Sequence, residues 1–274
     1  MKIDYCLSFC EIELCCFSSG YNFERIFDLA LKNSGFETVS RIYIGSNFCS
    51  QYFLHINPRI IFDWVEYCKL KGINVTLCLP IFTQKDLQKA KEYIAVYSQK
   101  FNNGIDEITV NDYGMLNYIE KTYNQMKINI GRLLNKDTRD VRYDDYYHQE
   151  FTPALLSLDN NLRDKINYYE LDATHSTLNI PEGKKVSLYT PYCYVTVGQM
   201  CEYASIDLPI EKKFRPNSQC SANCTKVFTE YHDGSQHSFY KIGRAVFTKN
   251  ERINIKGINS YRSIYQLFDM VTKL

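Results

Sequence analysis

Histidine is scarce in this sequence. His55, His148, His175, His232 and His237 are the full set of five, and none stands in a zinc-binding or catalytic spacing. A Ser–His–Asp or Cys–His protease framework is therefore absent from the pattern. An excess of charge of one sign is lacking too: Lys plus Arg total 32 against 31 for Asp plus Glu. Nothing global favours nucleic acid or an acidic membrane surface, so nucleic-acid binding would have to rest on a local basic patch. No run of about 18 apolar residues occurs, which predicts no membrane insertion. The apolar start "MKIDYCLSFCEIELCCFSSG" is broken by Asp4, Glu11 and Glu13 and has no basic leader. No signal peptide is expected, and the expected location is cytoplasmic. No linker rich in Pro, Gly or Ser divides the chain and no internal repeat is visible, which predicts one domain over residues 1–274.

What the chain does contain is apolar residues at 45%, enough for a substantial core, and eleven cysteines. In a reducing compartment so many thiols do not form a disulfide framework. Cys6, Cys10, Cys15, Cys16, Cys68 and Cys78 lie in apolar runs and read as small buried hydrophobes. The abundance of Asn, Lys, Ile and Tyr points to an AT-rich genome.

Strand-like and helix-like segments alternate along the chain. "IDYCLSF", "VSRIYIGS", "INVTLCLPIF", "DEITVND", "MKINIGRLLN", "INYYELD" and "KKVSLYTPYCYVTV" read as strands. "NFERIFDLALKNSG", "NPRIIFDWVEYCKLKG", "TQKDLQKAKEYIAVYSQKF" (Thr83 as N-cap), "MLNYIEKTYN" and "PALLSLDNNLRD" read as helices. A hairpin is expected around Asp233–Gly234, and "SYRSIYQLFDMVTKL" is expected to close the chain as an amphipathic helix. Such alternation favours a parallel sheet wrapped by helices. The length fits a TIM-like (β/α) barrel of about eight mainly parallel strands, for which roughly 250 residues is typical.

Barrels of this class carry function at the C-terminal ends of their strands, where the loops converge on one mouth. Cys49, Asn111, Asp112, Arg132, Glu170, Asp172 and Cys201 all fall at or beyond strand ends, and Cys220 and Cys224 lie in the following loop. The strand order allows Cys49, Cys201, Cys220 and Cys224 to meet. Four thiolates around one site suit either an iron–sulfur cluster or structural zinc. The polar neighbours Ser218, Gln219, Ser221 and Asn223 argue against a purely hydrophobic setting for "QCSANC".

The segments "RIYIGSNFCSQ", "EITVNDYGML", "INIGRLLNKDTRD", "YTPYCYVTVGQMCEYA", "QCSANC" and "YKIGRAVFTKN" follow one another over roughly residues 40–250. In that order they resemble peptidase family U32, in particular its branch for oxygen-independent hydroxylation in anaerobic ubiquinone synthesis. The resemblance implies a barrel with a cysteine-bearing loop at its C-terminal mouth and a 4Fe–4S cluster on Cys49, Cys201, Cys220 and Cys224. Cys193 competes for the Cys201 role but sits inside its strand. The resemblance further implies a heterodimer with a second U32-family protein and a redox modification of a small molecule, RNA or peptide. Asp112, Arg132 and Glu170 are the candidates for catalysis, through substrate contact or proton handling, or else ion pairs and caps within the mouth. The chain departs from the pattern at "TVGQM", where an Arg is missing before Cys201. The alternatives are a U32-type peptidase and a non-catalytic, zinc-stabilised barrel that serves as a binding partner.

Overall fold

A computed structural model describes residues 1–11, 23–135, 150–157, 165–216, 218–232, 234 and 237–272. The first part of the chain runs β1 (Lys2–Ser8), α1 (Phe23–Ser34), β2 (Arg41–Gly45), α2 (Ser50–Phe53), α3 (Pro58–Leu70) and β3 (Asn74–Leu79). It continues through α4 (Leu87–Tyr97), β4 (Glu107–Val110), α5 (Tyr113–Thr122), β5 (Lys127–Ile130), β6 (Ile166–Asp172), β7 (Leu178–Asn179) and β8 (Val186–Thr190). The last part is all strand and turn: β9 (Tyr192–Val197), β10 (Thr229–His232), β11 (Ser238–Ile242), β12 (Ala245–Lys249), β13 (Ile255–Lys256) and β14 (Ser260–Gln266).

Eight strands close into a barrel in the order β1-β14-β8-β6-β5-β4-β3-β2, every pair parallel. The fold is the TIM-like α/β barrel that the alternation predicts. β2, β4 and β8 are buried on both faces, as strands covered by helices outside and packed side chains inside must be. α3 shows how the shell forms locally. Asn57 Oδ1 accepts the Arg59 N–H (3.0 Å), Pro58 occupies the first turn, and Gly72 beyond the end takes a left-handed φ of +69°. Ile60, Ile61, Trp64, Val65 and Cys68 of this helix face the core, and Trp64 meets Phe9 and Phe23 ring to ring.

Four sequence expectations need correction. Residues 260–266 of the expected closing helix form β14, hydrogen-bonded between β1 and β8, and among the described residues a 3₁₀ turn (Phe268–Thr272) follows. Tyr261, Arg262, Ser263 and Ile264 are buried in succession, a two-sided burial that a strand satisfies and an amphipathic helix does not. "KKVSLYTPYCYVTV" is two strands, because the chain leaves the barrel at Pro191 after a cis peptide bond. α4 is capped at Asp86; Thr83 donates to Asp86 Oδ2 (2.8 Å) in the turn before it. The expected hairpin exists as the antiparallel pair β10–β11, with Asp233 outside the described residues. The helix expected from Pro153 to Asp164 shows a 3₁₀ turn (Ala154–Ser157), and residues 158–164 lie outside them. Cys6, Cys10, Cys68 and Cys78 are buried as expected; Cys15 and Cys16 also lie outside.

Beyond β8 the chain builds a four-stranded antiparallel sheet in the order β10-β11-β12-β9. It continues from the C-terminal end of a barrel strand and packs on the mouth, where Phe48 meets Tyr194 (5.3 Å) and Phe247 (5.2 Å) between ring centroids. No helix among the described residues is long and apolar enough to cross a membrane.

Candidate metal centre

Cys49 is placed by a short turn at the end of β2. Gly45 has φ +106°, and a Cβ there would lie 2.5 Å from the Cys78 carbonyl oxygen of β3. Only glycine lets the chain pass β3 this closely and turn out of the sheet. The turn Ser46–Asn47–Phe48 then wraps around the buried carboxylate of Glu11. Glu11 Oε1 accepts the Ser46 hydroxyl (2.7 Å) and the Phe48 N–H (3.0 Å), and also the Asn47 N–H. Cys49 donates its N–H to Ser46 Oγ (3.0 Å), and its Sγ accepts the Tyr52 N–H (3.4 Å) as N-cap of α2. Gly45→Ala is expected to cost about 1–3 kcal/mol from the forced φ, with the clash added. The urea midpoint of the variant measures it, and an unchanged midpoint refutes the close approach.

The other three thiols come from the connection between β9 and β10. Ser205 Oγ donates to the Cys201 carbonyl (3.1 Å) and accepts the Phe214 N–H (2.9 Å), which closes the loop after β9. Cys220 Sγ accepts the Ala222 N–H (3.3 Å), and Ala222 takes a left-handed φ of 56°. That reversal carries the chain into the 3₁₀ turn Asn223–Lys226, which holds Cys224. Gly243, in the turn between β11 and β12, sits against Cys224: a Cβ there would be 3.5 Å from its Sγ.

Cys49, Cys201, Cys220 and Cys224 line a single cavity, with Gln51, Gln199 and Arg244 among its other walls. The room it leaves for a water-sized sphere is small, about 20 Å³. The donor set is four sulfurs with no carboxylate or imidazole. Among the described residues no group of three or more His, Cys, Asp or Glu forms a ready-made site for a metal ion. Cys193, by contrast, lies inside β9, paired with Thr248, and does not line the cavity. Burial raises the Cys49 thiol pKa, and the nearby Arg244 charge works against that rise. Burial also pushes Cys220 up to about 11, despite the Ala222 N–H. Cys224 is raised by burial and then by the charges of Cys49, Cys201 and Cys220. Burial thus favours the protonated form of Cys49, Cys220 and Cys224, and loading a metal must release those protons.

The three catalytic candidates divide. Asp112 is the N-cap of α5, accepting the Met115 N–H (2.6 Å), a structural use of its carboxylate. Arg132 and Glu170 are wholly buried in the barrel beneath the mouth. Arg132 pairs with Asp172, donates to the Tyr192 carbonyl (3.0 Å) and lies over the Tyr189 ring, 4.1 Å from its centroid. Glu170 accepts hydrogen bonds from Thr109 Oγ1 (2.5 Å) and the Tyr189 hydroxyl (2.8 Å). Burial nevertheless pushes its pKa up to about 7. Asn47 Nδ2 donates to the same Tyr189 oxygen (3.3 Å), which joins Glu170 to the turn that carries Cys49.

Sequence reasoning missed Glu11 and Arg244. Glu11 stands in "FCEIELCC", where a lone acid within an apolar, cysteine-rich run was the available signal. Arg244 follows Gly243 in "KIGRAVF", a basic residue immediately after a turn glycine. No family model matches this chain, and no curated protein or solved structure does either.

Proposed function

We propose that this chain is an iron–sulfur protein of the U32 type, holding a 4Fe–4S cluster on Cys49, Cys201, Cys220 and Cys224. Its role is a part in oxygen-independent hydroxylation or a related redox modification of a small molecule, RNA or peptide. It acts in the cytoplasm beside a second U32-type protein. The observation that carries the reading is that four thiols, from segments far apart in sequence, line one cavity over the barrel mouth.

An all-sulfur donor set suits iron–sulfur or zinc chemistry and is a poor match for hard cations. A lone zinc ion draws its four sulfurs to about 2.3 Å from one centre. A zinc ion with four thiolates would also leave no position for an activated water, which weighs against the peptidase alternative. When bound, a cluster supplies one-electron transfer at a potential set by its net charge, hydrogen bonds and exposure. The chain's own contribution is to ligate and to hold a proton close by. Glu170, pushed up to about 7, keeps a proton on its carboxyl near neutrality, and Tyr189 and Asn47 extend the hydrogen bonds toward the Cys49 turn.

Anaerobically purified protein is expected to be brown and to contain iron and acid-labile sulfide in equal amounts. Cys220→Ala and Cys201→Ala should lose both, and Cys193→Ala should keep them. Colourless protein with one zinc per chain would establish the zinc-stabilised barrel instead. Unchanged iron in Cys220→Ala would overturn the ligand assignment. Co-purification of a second U32-type protein tests the heterodimer.

A further inference from the structure

Four arginines are buried among the described residues: Arg41, Arg132, Arg244 and Arg262. Three have an acid. Arg41 and Arg262 share Glu107, and Arg132 has Asp172. Arg244 is 7% exposed, and no carboxylate pairs with it among those residues. Its Nη1 donates to the backbone carbonyl of Gln199 (3.1 Å) and to the side-chain Oε1 of the same residue (3.3 Å). Its Nε has no hydrogen-bond partner. Both contacts come from one neutral residue and fix the guanidinium in place without compensating its charge.

A guanidinium cannot escape burial by losing its proton, as a lysine or histidine does. An unpaired buried charge is therefore costly, and a fold retains one where an anion meets it. Arg244 is a wall of the cavity formed by Cys49, Cys201, Cys220 and Cys224. Four thiolates on a 4Fe–4S core outweigh the charge of the core, so the loaded site is anionic in both redox states, and more so by one charge after reduction.

We propose that Arg244 is the built-in counter-charge of this site and sets the cluster's reduction potential, a role that rests on the cluster reading above. Reduction adds one electron to the site, supplied in the test by dithionite. No proton need follow it, because Arg244 is charged before and after. The added negative charge is met by a fixed positive one in a place of low dielectric, so the reduced state gains more than the oxidised state. Arg244 thus raises the potential above the value that the four thiolates alone would give. It acts on the cluster's charge rather than as a ligand.

The test is a redox titration of anaerobically purified wild type, Arg244→Lys and Arg244→Met, after iron and sulfide have been measured in each. Arg244→Met is expected to keep its iron and titrate at a more negative potential. At the wild-type midpoint its reduced-to-oxidised ratio should fall about tenfold, equivalent to about 59 mV for a one-electron couple. Arg244→Lys, which keeps the charge but not the Gln199 fork, should stay near the wild-type midpoint. A loaded Arg244→Met with an unchanged midpoint overturns the proposal. If Arg244→Met takes up no iron, Arg244→Lys decides. A folded, iron-free lysine variant would show that shape rather than charge is required, and that too overturns it. Wild type without iron would instead remove the cluster reading, and this inference with it.

Discussion

Glu107→Gln is expected to destabilise the chain by about 3–5 kcal/mol, the usual loss when one member of a buried ion pair is removed. Glu107 opens β4 on the inside of the barrel and is 1% exposed. Arg262 of β14 holds both its oxygens, Nη1 to Oε2 at 2.7 Å and Nη2 to Oε1 at 3.0 Å. Arg41 of β2 stands 3.4 Å from Oε1. Asn129 Nδ2 (3.0 Å), Asn167 Nδ2 (2.7 Å) and Thr76 Oγ1 (3.3 Å) complete its shell. One carboxylate thus serves two arginines; its loss leaves Arg41 without an acid and Arg262 with only the half-exposed Asp4, 3.5 Å from its Nε. Urea unfolding followed by circular dichroism measures the change; a loss under about 1 kcal/mol would mean that water reaches the layer.

The same shell fixes the acid response. Burial pushes the Glu107 pKa up, but the Arg262 hydrogen bonds and the charges of Arg41 and Arg262 outweigh it and bring it down to about 2. A lowered carboxylate contributes stability above its unfolded value near 4.5, and the contribution is lost as pH falls from there toward about 2. In Glu107→Gln that acid limb should flatten. The layer lies at the N-terminal end of the barrel, opposite the thiols, where buried charge serves stability rather than chemistry.

This layer also marks the limit of what the sequence discloses. Glu107 and Arg262 are 155 residues apart in sequence and Arg41 comes from a third strand, and each looks like an ordinary surface charge in its own segment. Only closure of the barrel brings them together. The strands β1 to β5 and the helices α1, α3, α4 and α5 were legible because each βα unit carries its own periodicity, and α3 carries its stop signals as well. β14 was not, because its burial on two faces comes from β1 and β8, which lie far off in sequence. The thiols follow the same rule. Cys49, Cys201, Cys220 and Cys224 could be grouped because each falls beyond a strand end, where topology dictates position. Glu11 and Arg244 could not, since their importance lies in what they face: a turn of three residues in one case, a cavity in the other.

The wild-type chain is expected to lose stability as pH rises from about 5 to about 8, and Glu170→Gln should remove a large part of that slope. Glu170 is wholly enclosed, and burial pushes its carboxyl from 4.5 up to about 7 against the opposing hydrogen bonds of Thr109 and Tyr189. A raised carboxyl contributes stability while it stays protonated. The contribution is complete below the unfolded pKa and is lost as pH rises through the folded one, here between about 4.5 and 7. At about 1.4 kcal/mol per pKa unit, a rise of this size corresponds to roughly 3 kcal/mol. Glu11, also pushed up to about 7 by burial, adds a second limb in the same window. Glutamine matches the neutral acid in shape, and its carbonyl can accept the Tyr189 or the Thr109 hydroxyl. Near pH 5, then, Glu170→Gln should match wild type within about 1 kcal/mol. At pH 8 it should be the more stable of the two, by roughly 3 kcal/mol. Urea midpoints at the two pH values separate this from a simple loss of packing, which would lower both alike. A variant less stable by the same amount at pH 5 and pH 8 would mean that Glu170 is ionised throughout. In that case it could not be the proton holder beneath the Cys49 turn.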